Sequence, residues 1–180
     1  MSLNNLPSGD DAPRVIGVVI ESPLHGSRVK YEVENDNGTL MQDRFTDTAV
    51  FCPCNYGVLP DRLFKDSYPV DVSVTEGPMI SASVNRCHPL EMLEMANEAG
   101  GDYKVLAVSV SKLNKLYNDM LSRITHFFEQ YKTLETGKWA KVENRPGVNR
   151  HMKNYPGVSG VIIANLLKCK KVNIQGAVTD

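Results

Sequence analysis

Between Arg28 and Phe45 the chain alternates about a tight turn, and that pattern constrains the fold more than any other stretch. Val29, Tyr31 and Val33 fall on one face of an extended chain, with Lys30, Glu32 and Glu34 on the other. A period of two is that of a half-buried strand. Asn35-Asp36-Asn37-Gly38 supplies residues that tolerate positive φ, and Thr39 to Phe45 returns as the partner strand. Further extended runs follow at Arg14–Glu21, Asp71–Thr75, Ser81–Met95 and Lys104–Val110, with Pro23 and Gly26 marking the first turn between them. Many short strands separated by turn signals favour a closed barrel or a sandwich over a parallel sheet. No internal repeat or low-complexity segment interrupts them.

The C-terminal part changes period. Met120, Ile124, Phe127, Phe128 and Tyr131 recur at helical spacing and predict a helix over Asp119–Leu134, capped by Asn118 or Asp119. A second helix is expected over Gly157–Lys170, on the stripe of Val158, Val161, Ile162, Leu166 and Cys169. The aromatic stripe of the first reads as core. The fold class is therefore mainly β with flanking α (α+β). Residues 1–13, polar and rich in Pro and Gly, are expected to form a disordered tail. Residues 14–180 are long enough to bury one core without disulfides.

Charge excludes several functions. The net charge is −1, so no global basic field attracts nucleic acid or an anionic membrane, and a polyanion must be held by a local cluster. Val158–Leu167, the longest apolar stretch, is too short to span a bilayer. With no signal peptide apparent, Cys52, Cys54, Cys87 and Cys169 are expected to be reduced thiols in a cytoplasmic protein. Cys52-x-Cys54 is too tight for the usual zinc knuckle, and Cys87-His88 lies far from it in sequence.

From Phe51 to Asp71 two carboxylates, Asp66 and Asp71, bracket Pro69. Pro69 fixes its own φ and biases Tyr68 toward extended geometry, so the segment reads as a rigid corner. Such a corner is either an Asx-rich surface turn or a holder for a hard cation such as Mg²⁺. A short linker is expected between Gly57 and Asp66.

Six blocks, taken together, resemble a known family. They are Lys30-Tyr31-Glu32, Asp43-Arg44-Phe45, Cys52-Pro53-Cys54-Asn55-Tyr56-Gly57, Asp66-x-x-Pro69-Val70-Asp71, Asn97-Glu98-Ala99-Gly100-x-Asp102-x-Lys104, and His126-Phe127-Phe128-Glu129-x-Tyr131-Lys132 with Gly137-Lys138-Trp139. Their order is that of the soluble, metal-dependent family I inorganic pyrophosphatases, over roughly Ile16 to Val142. The resemblance implies a five-stranded OB-like β-barrel with two main helices, and Mg²⁺-dependent hydrolysis of pyrophosphate to two phosphates. It implies Asp66, Asp71 and Asp102 as metal ligands. Lys30, Arg44, Lys104, Tyr131, Lys132 and Lys138 match phosphate contacts, Tyr56 an active-site tyrosine near the nucleophile, and Glu21 and Glu32 peripheral acids. Read as residues alone, Lys30 and Glu32 are equally a solvent face. Arg44 is equally a surface partner of Asp43, and the lysines after Tyr131 a solvated helix end. A homo-oligomer is implied as well, of the hexameric kind that compact bacterial members form.

Several positions depart from the family pattern. Tyr68 stands where the family has an aspartate that helps activate water, and Asn97 where it has another aspartate. Cys52 replaces a tyrosine and His88 an arginine, and some ten residues are missing after Lys115. Lys30, Arg44, Lys104, Lys132 and Lys138 face Glu21, Glu32, Asp66, Asp71 and Asp102, an even balance that implies fewer bound metals than in relatives. Two functional readings follow. One is a working pyrophosphatase, slowed by these changes; the other is a relative that binds pyrophosphate or another phosphate compound, or acts as a structural or regulatory subunit.

Overall fold

The computed structural model describes residues 6–34, 37–63, 69–97, 100–111 and 117–131, with short strands at 149–150, 170–172 and 178–179. Its centre is a closed barrel of β1 (Ile16–Ser22), β4 (Asn55–Leu63), β5 (Pro69–Val74), β6 (Val84–Asn97) and β7 (Gly100–Ser109). Around the barrel the order is β1-β6-β7-β5-β4, and β4 closes back onto β1. Every neighbouring pair is antiparallel except β5 and β7, which run parallel. β2 (Val29–Val33) and β3 (Leu40–Phe45) form the expected hairpin, with Gly38 at φ 73° closing the turn. β8 (Asn149–Arg150) adds to β6, β9 (Lys170–Val172) adds to β4, and β10 (Val178–Thr179) pairs with β9. One helix, α1 (Tyr117–Gln130), is present among the described residues.

Strand alternation sorts the apolar residues into three groups. Ile16, Val18, Ile20, Leu59, Val70, Val72, Val74, Cys87, Met92, Val105 and Ala107 fill the barrel. Leu93, Leu106 and Cys54 face outward and are covered by Ile124 and Phe128 of α1. Val19 and Val58, also outward, are covered by Val33 of the hairpin and by Leu6 and Leu40. Both faces of β1, β4 and β7 are thus occupied, which explains the unbroken apolar runs Val18–Ile20 of β1 and Val105–Val108 of β7.

The stretch expected to be a linker after Gly57 is instead strand β4. Its pairing with β5 shifts register between Leu59 and Leu63, and within that irregularity lie Pro60 and Asp61, the latter at φ 58°. A proline inside a strand is tolerated at such a bulge but hides the strand from periodicity. Within the stretch expected to be a tail, two residues touch the barrel. Leu6 packs on Val19, Val33 and Val58, and Ser8 accepts from Gly17 N at 2.9 Å and from Arg62 Nε at 3.2 Å. Helix α1 starts two residues early, so Asn118 and Asp119 sit in its first turn rather than at its cap. The second expected helix falls outside the described residues up to Lys170, which opens β9.

Asn55 joins the first turn of the chain to the loop after β5. Its side chain is fully buried. Oδ1 accepts from Leu24 N and Met79 N, both at 2.9 Å, while Nδ2 donates to Val74 O at 3.3 Å, Glu76 O at 3.4 Å and Gly77 O at 3.0 Å. Two residues on, Gly57 lies so close to β1 that a Cβ there would stand 2.0 Å from Val19 O. Only glycine allows the barrel to close at that point.

Asn55→Ala strands two backbone donors and several carbonyls in the interior, each orphaned group costing about 1–3 kcal/mol. Urea unfolding is expected to show a loss of roughly 3 kcal/mol or more. A loss under about 1 kcal/mol would mean that water replaces the amide without penalty.

Candidate active site

The parallel pairing of β5 and β7 sets Asp71 opposite Lys104. Their neighbours Val70, Val72 and Val105 point into the barrel, so both charged side chains stand on its outer face. Lys104 is 4% exposed, and its Nζ lies 2.5 Å from Asp71 Oδ2. A buried ammonium is tolerable only when desolvation is offset by paired charge. Aromatic rings add to that compensation, because Nζ stands 5.6 Å from the Tyr56 ring centroid and 5.7 Å from that of Phe128. Tyr56 comes from β4, beside Ser73 of β5. Three strands and the helix therefore converge on one ammonium.

Glu21, at the end of β1, reaches the same region. Its Oε1 accepts from Val33 N at 2.8 Å, which ties the hairpin to the barrel. Burial pushes its carboxyl up to about 8, against the Val33 hydrogen bond. The charge of Asp71 raises it further, Lys30 lowers it and Glu32 raises it, so all three stand close enough to be felt. On the hairpin, Lys30 sits opposite Arg44 and contacts Glu32. Asp43 Oδ2 bridges the two cations, 3.1 Å from Lys30 Nζ and 2.8 Å from Arg44. These pairs are solvated and worth at most about 1 kcal/mol each, so an incoming anion can displace them. Behind Lys104 the rings form a wall: Phe128 meets Tyr131 edge-on at 5.8 Å, and Phe127 stacks on Tyr131 at 5.2 Å.

A sequence model of the inorganic pyrophosphatase family matches residues 18–155. The chain belongs to the inorganic pyrophosphatases. It is 49% identical over 154 residues to the inorganic pyrophosphatase of Escherichia coli strain K12, and 47% identical over 154 residues to that of Yersinia pestis. Each alignment covers 79% of this chain and 88% of the relative. The crystal structure of the inorganic pyrophosphatase from Thermus thermophilus superposes with a TM-score of 0.75 at 32% identity, covering 94% of this chain and 97% of that one. The five-stranded barrel is the fold that this family membership predicts.

Not every expected residue of this pyrophosphatase is brought to the site. Tyr56, Asp71 and Lys104 come together directly. Lys30 and Glu21 flank them, Arg44 joins through Asp43, and Tyr131 stands behind Phe128. Asp102 occupies β7 two residues before Lys104, beside Met95 of β6. Asp66, Tyr68, Lys132 and Lys138 lie outside the described residues, and Asn97 is placed only as a strand position. His88 stands apart, its Nδ1 3.0 Å from Arg14 O. Among the described residues no group of three or more His, Cys, Asp or Glu is placed to hold a metal. Cys87 lies inside the barrel and Cys54 outside it, so the cysteines form no single cluster. Reading the sequence missed Phe128 as a wall for the ammonium, because helical periodicity marks it only as core.

Glu21 gives a pH test in metal-free protein. Its folded value, about 8, lies above its ordinary 4.5, so the folded state holds this proton more tightly. That contribution to stability is complete below pH 4.5 and is lost as pH rises to about 8. Glu21→Gln keeps the acceptor for Val33 and cannot ionise. Urea unfolding with chelator present should show the variant gaining on the parent steadily across this window. A difference that stays flat with pH would show that Glu21 does not titrate in the fold.

Proposed function

We propose that this chain hydrolyses inorganic pyrophosphate to two phosphates, using Mg²⁺ held by Asp66, Asp71 and Asp102. The observation that carries the reading is the Asp71–Lys104 pair beside Tyr56, a carboxylate and a desolvated ammonium on one face in a chain of this family. Asp71 fits a metal: its carboxylate is 29% exposed, and hard carboxylate oxygens are what Mg²⁺ takes. When bound, the metal supplies positive charge to phosphate oxygens and makes water more acidic. Lys104 carries three donors and would exchange its hold on Asp71 for phosphate oxygens once that carboxylate is engaged. Its ammonium stands ready in a low-dielectric site, where fixed charge stabilises a transition state most. Lys30 and Arg44, loosely held by Asp43, and Tyr131, Lys132 and Lys138 would hold the remaining phosphate oxygens. Tyr56 is assigned to the side of the attacking water.

Wider readings rest on the same family membership. We place the enzyme in the cytoplasm, consistent with reduced thiols and with no described helix long and apolar enough to cross a membrane. A homo-oligomer is supported by large apolar side chains on the surface, Phe45 at 69% and Ile80 at 79% exposure. No nucleic-acid or membrane partner is proposed, since the net charge is −1.

Phosphate release from pyrophosphate with Mg²⁺ tests the proposal directly. Asp71→Asn is expected to lower activity roughly 10²-fold or more and to weaken Mg²⁺ binding. Asp61→Asn should do neither, because Asp61 lies in the β4 bulge at φ 58°, a conformation asparagine tolerates. Equal losses of Mg²⁺ affinity from the two substitutions would sink the metal assignment.

Tyr68 and Asn97 supply a gain-of-function counterpart. Tyrosine, with an ordinary pKa near ~10, carries no charge at neutral pH where the family has a carboxylate. A positioned acid–base group contributes about 10²–10⁴-fold. Tyr68→Asp with Asn97→Asp should raise hydrolysis, most of the gain coming from position 68. A double variant that folds by circular dichroism yet is no faster would show that these carboxylates do not limit the rate.

A further inference from the structure

Cys52 and Cys54 flank Pro53 just before β4, where the chain bends instead of running straight. The bend brings Cys52 Sγ to 3.5 Å from Cys54 Sγ. The two thiols are unequal. Cys52 is partly exposed, so a reagent in solvent meets it first, while Cys54 is fully buried behind it. The contact between the two sulfurs favours thiolate at Cys52 and holds its pKa below the ordinary thiol value. The same contact, with burial, raises that of Cys54. An accessible outer thiol of lowered pKa with an inner thiol at contact distance is the arrangement a redox pair needs. Cys87 differs: it is buried inside the barrel, and burial pushes it up to about 12.

We propose that Cys52 and Cys54 form a reversible dithiol–disulfide pair that is oxidised by peroxides and slows pyrophosphate hydrolysis while oxidised. In the first step the Cys52 thiolate attacks one peroxide oxygen. The S–O bond forms as the O–O bond breaks, leaving a sulfenic acid, and the departing hydroxide takes a proton to become water. In the second, Cys54 sulfur attacks the sulfenic sulfur; the S–S bond forms, the S–O bond breaks, and the Cys54 proton leaves with the oxygen as a second water. Two electrons pass from the thiols to the peroxide. A thiol such as dithiothreitol or glutathione returns them by exchange.

Geometry couples this pair to hydrolysis. An S–S bond is about 2.05 Å long, so closure draws the sulfurs together by roughly 1.5 Å. Cys54 is fully buried among Leu93, Leu106, Ile124 and Phe128, and Cys52 and Tyr56 border the same cluster, so these close-packed neighbours take up the movement. Cys52 O also accepts from His25 N at 3.3 Å, and Asn55, the next residue after Cys54, anchors two loops. Displacement therefore passes into Phe128 and Tyr56, the two rings against which Lys104 Nζ stands. An ångström of misplacement at a reacting site can cost up to about 10²-fold in rate.

The activity readout rests on the proposed hydrolysis, whereas the chemistry at sulfur is read by mass. Reduced full-length protein is treated with hydrogen peroxide, mapped by peptide mass spectrometry and assayed for phosphate release. The expected result is one peptide bridged between Cys52 and Cys54 with the loss of two hydrogens. Activity should fall roughly tenfold and return with dithiothreitol, a loss within the reach of a sub-ångström displacement. Cys52→Ser should keep its own untreated rate after peroxide, and Cys54→Ser should gain oxygen at Cys52 instead of losing hydrogen. Oxygen addition without a bridge in the parent, a bridge that leaves hydrolysis unchanged, or undiminished peroxide inhibition of Cys52→Ser would each overturn the proposal. Absence of hydrolysis in the reduced protein would overturn the function reading instead, with the bridge still decided by mass.

Discussion

The closure of β4 onto β1 is the contact on which the other features depend. Two main chains pass so closely at Gly57 that a single methyl group would collide with the Val19 carbonyl. The neighbouring residues are the ones the site uses. Tyr56 is presented toward Lys104, and Asn55 secures the loops on either side, while Val58 supports the hairpin. A short segment thus sets barrel closure, loop anchoring and ring placement together. Local freedom there is small, because each of its residues answers to a different neighbour.

Electrostatics at the site is a balance of desolvated charge. Lys104 is held in an apolar setting by Asp71 and by two ring faces, and the Glu21 carboxyl, tied to Val33 N, is raised to about 8 by its burial. Such an arrangement is costly for folding and useful for chemistry, since unscreened charge acts strongly on a phosphoryl group. The hairpin cations are the opposite case. Solvated and shared through Asp43, they hold little energy and are free to exchange partners. The interior supplies fixed charge and the rim supplies adaptable charge.

Helix α1 serves two purposes through one stripe. Ile124 and Phe128 seal the outer face of β6 and β7 as ordinary core, and the same Phe128 walls the ammonium. Core and site share atoms here, so packing changes among Cys54, Leu106 and Phe128 reach the chemistry without touching substrate.

Much of the fold was legible because it is written in local periodicity. The hairpin at Arg28–Phe45, the strand nature of Asp71–Thr75 and Lys104–Val110, and the aromatic helix all follow from spacing and turn chemistry. Six short blocks in order pointed to the family that similarity over most of the chain then established. Strand β4 was not legible, because Pro60 and the positive φ of Asp61 break its pattern at a bulge that only a partner strand makes tolerable. Nor was the packing of Leu6 against the cluster of Val19, Val33 and Val58, about which a polar local composition says nothing. By itself the sequence determined which residues can carry charge, where the hairpin and most of the barrel strands run, and which family they resemble. Tertiary structure alone decided that Asp71 lies beside Lys104, that Glu21 is buried and that two thiols meet across Pro53. Those facts depend on strand register and on a bend, and both are held by contacts between segments distant along the chain, the bend through His25 N on Cys52 O and the packing of Cys54 on Ile124 and Phe128.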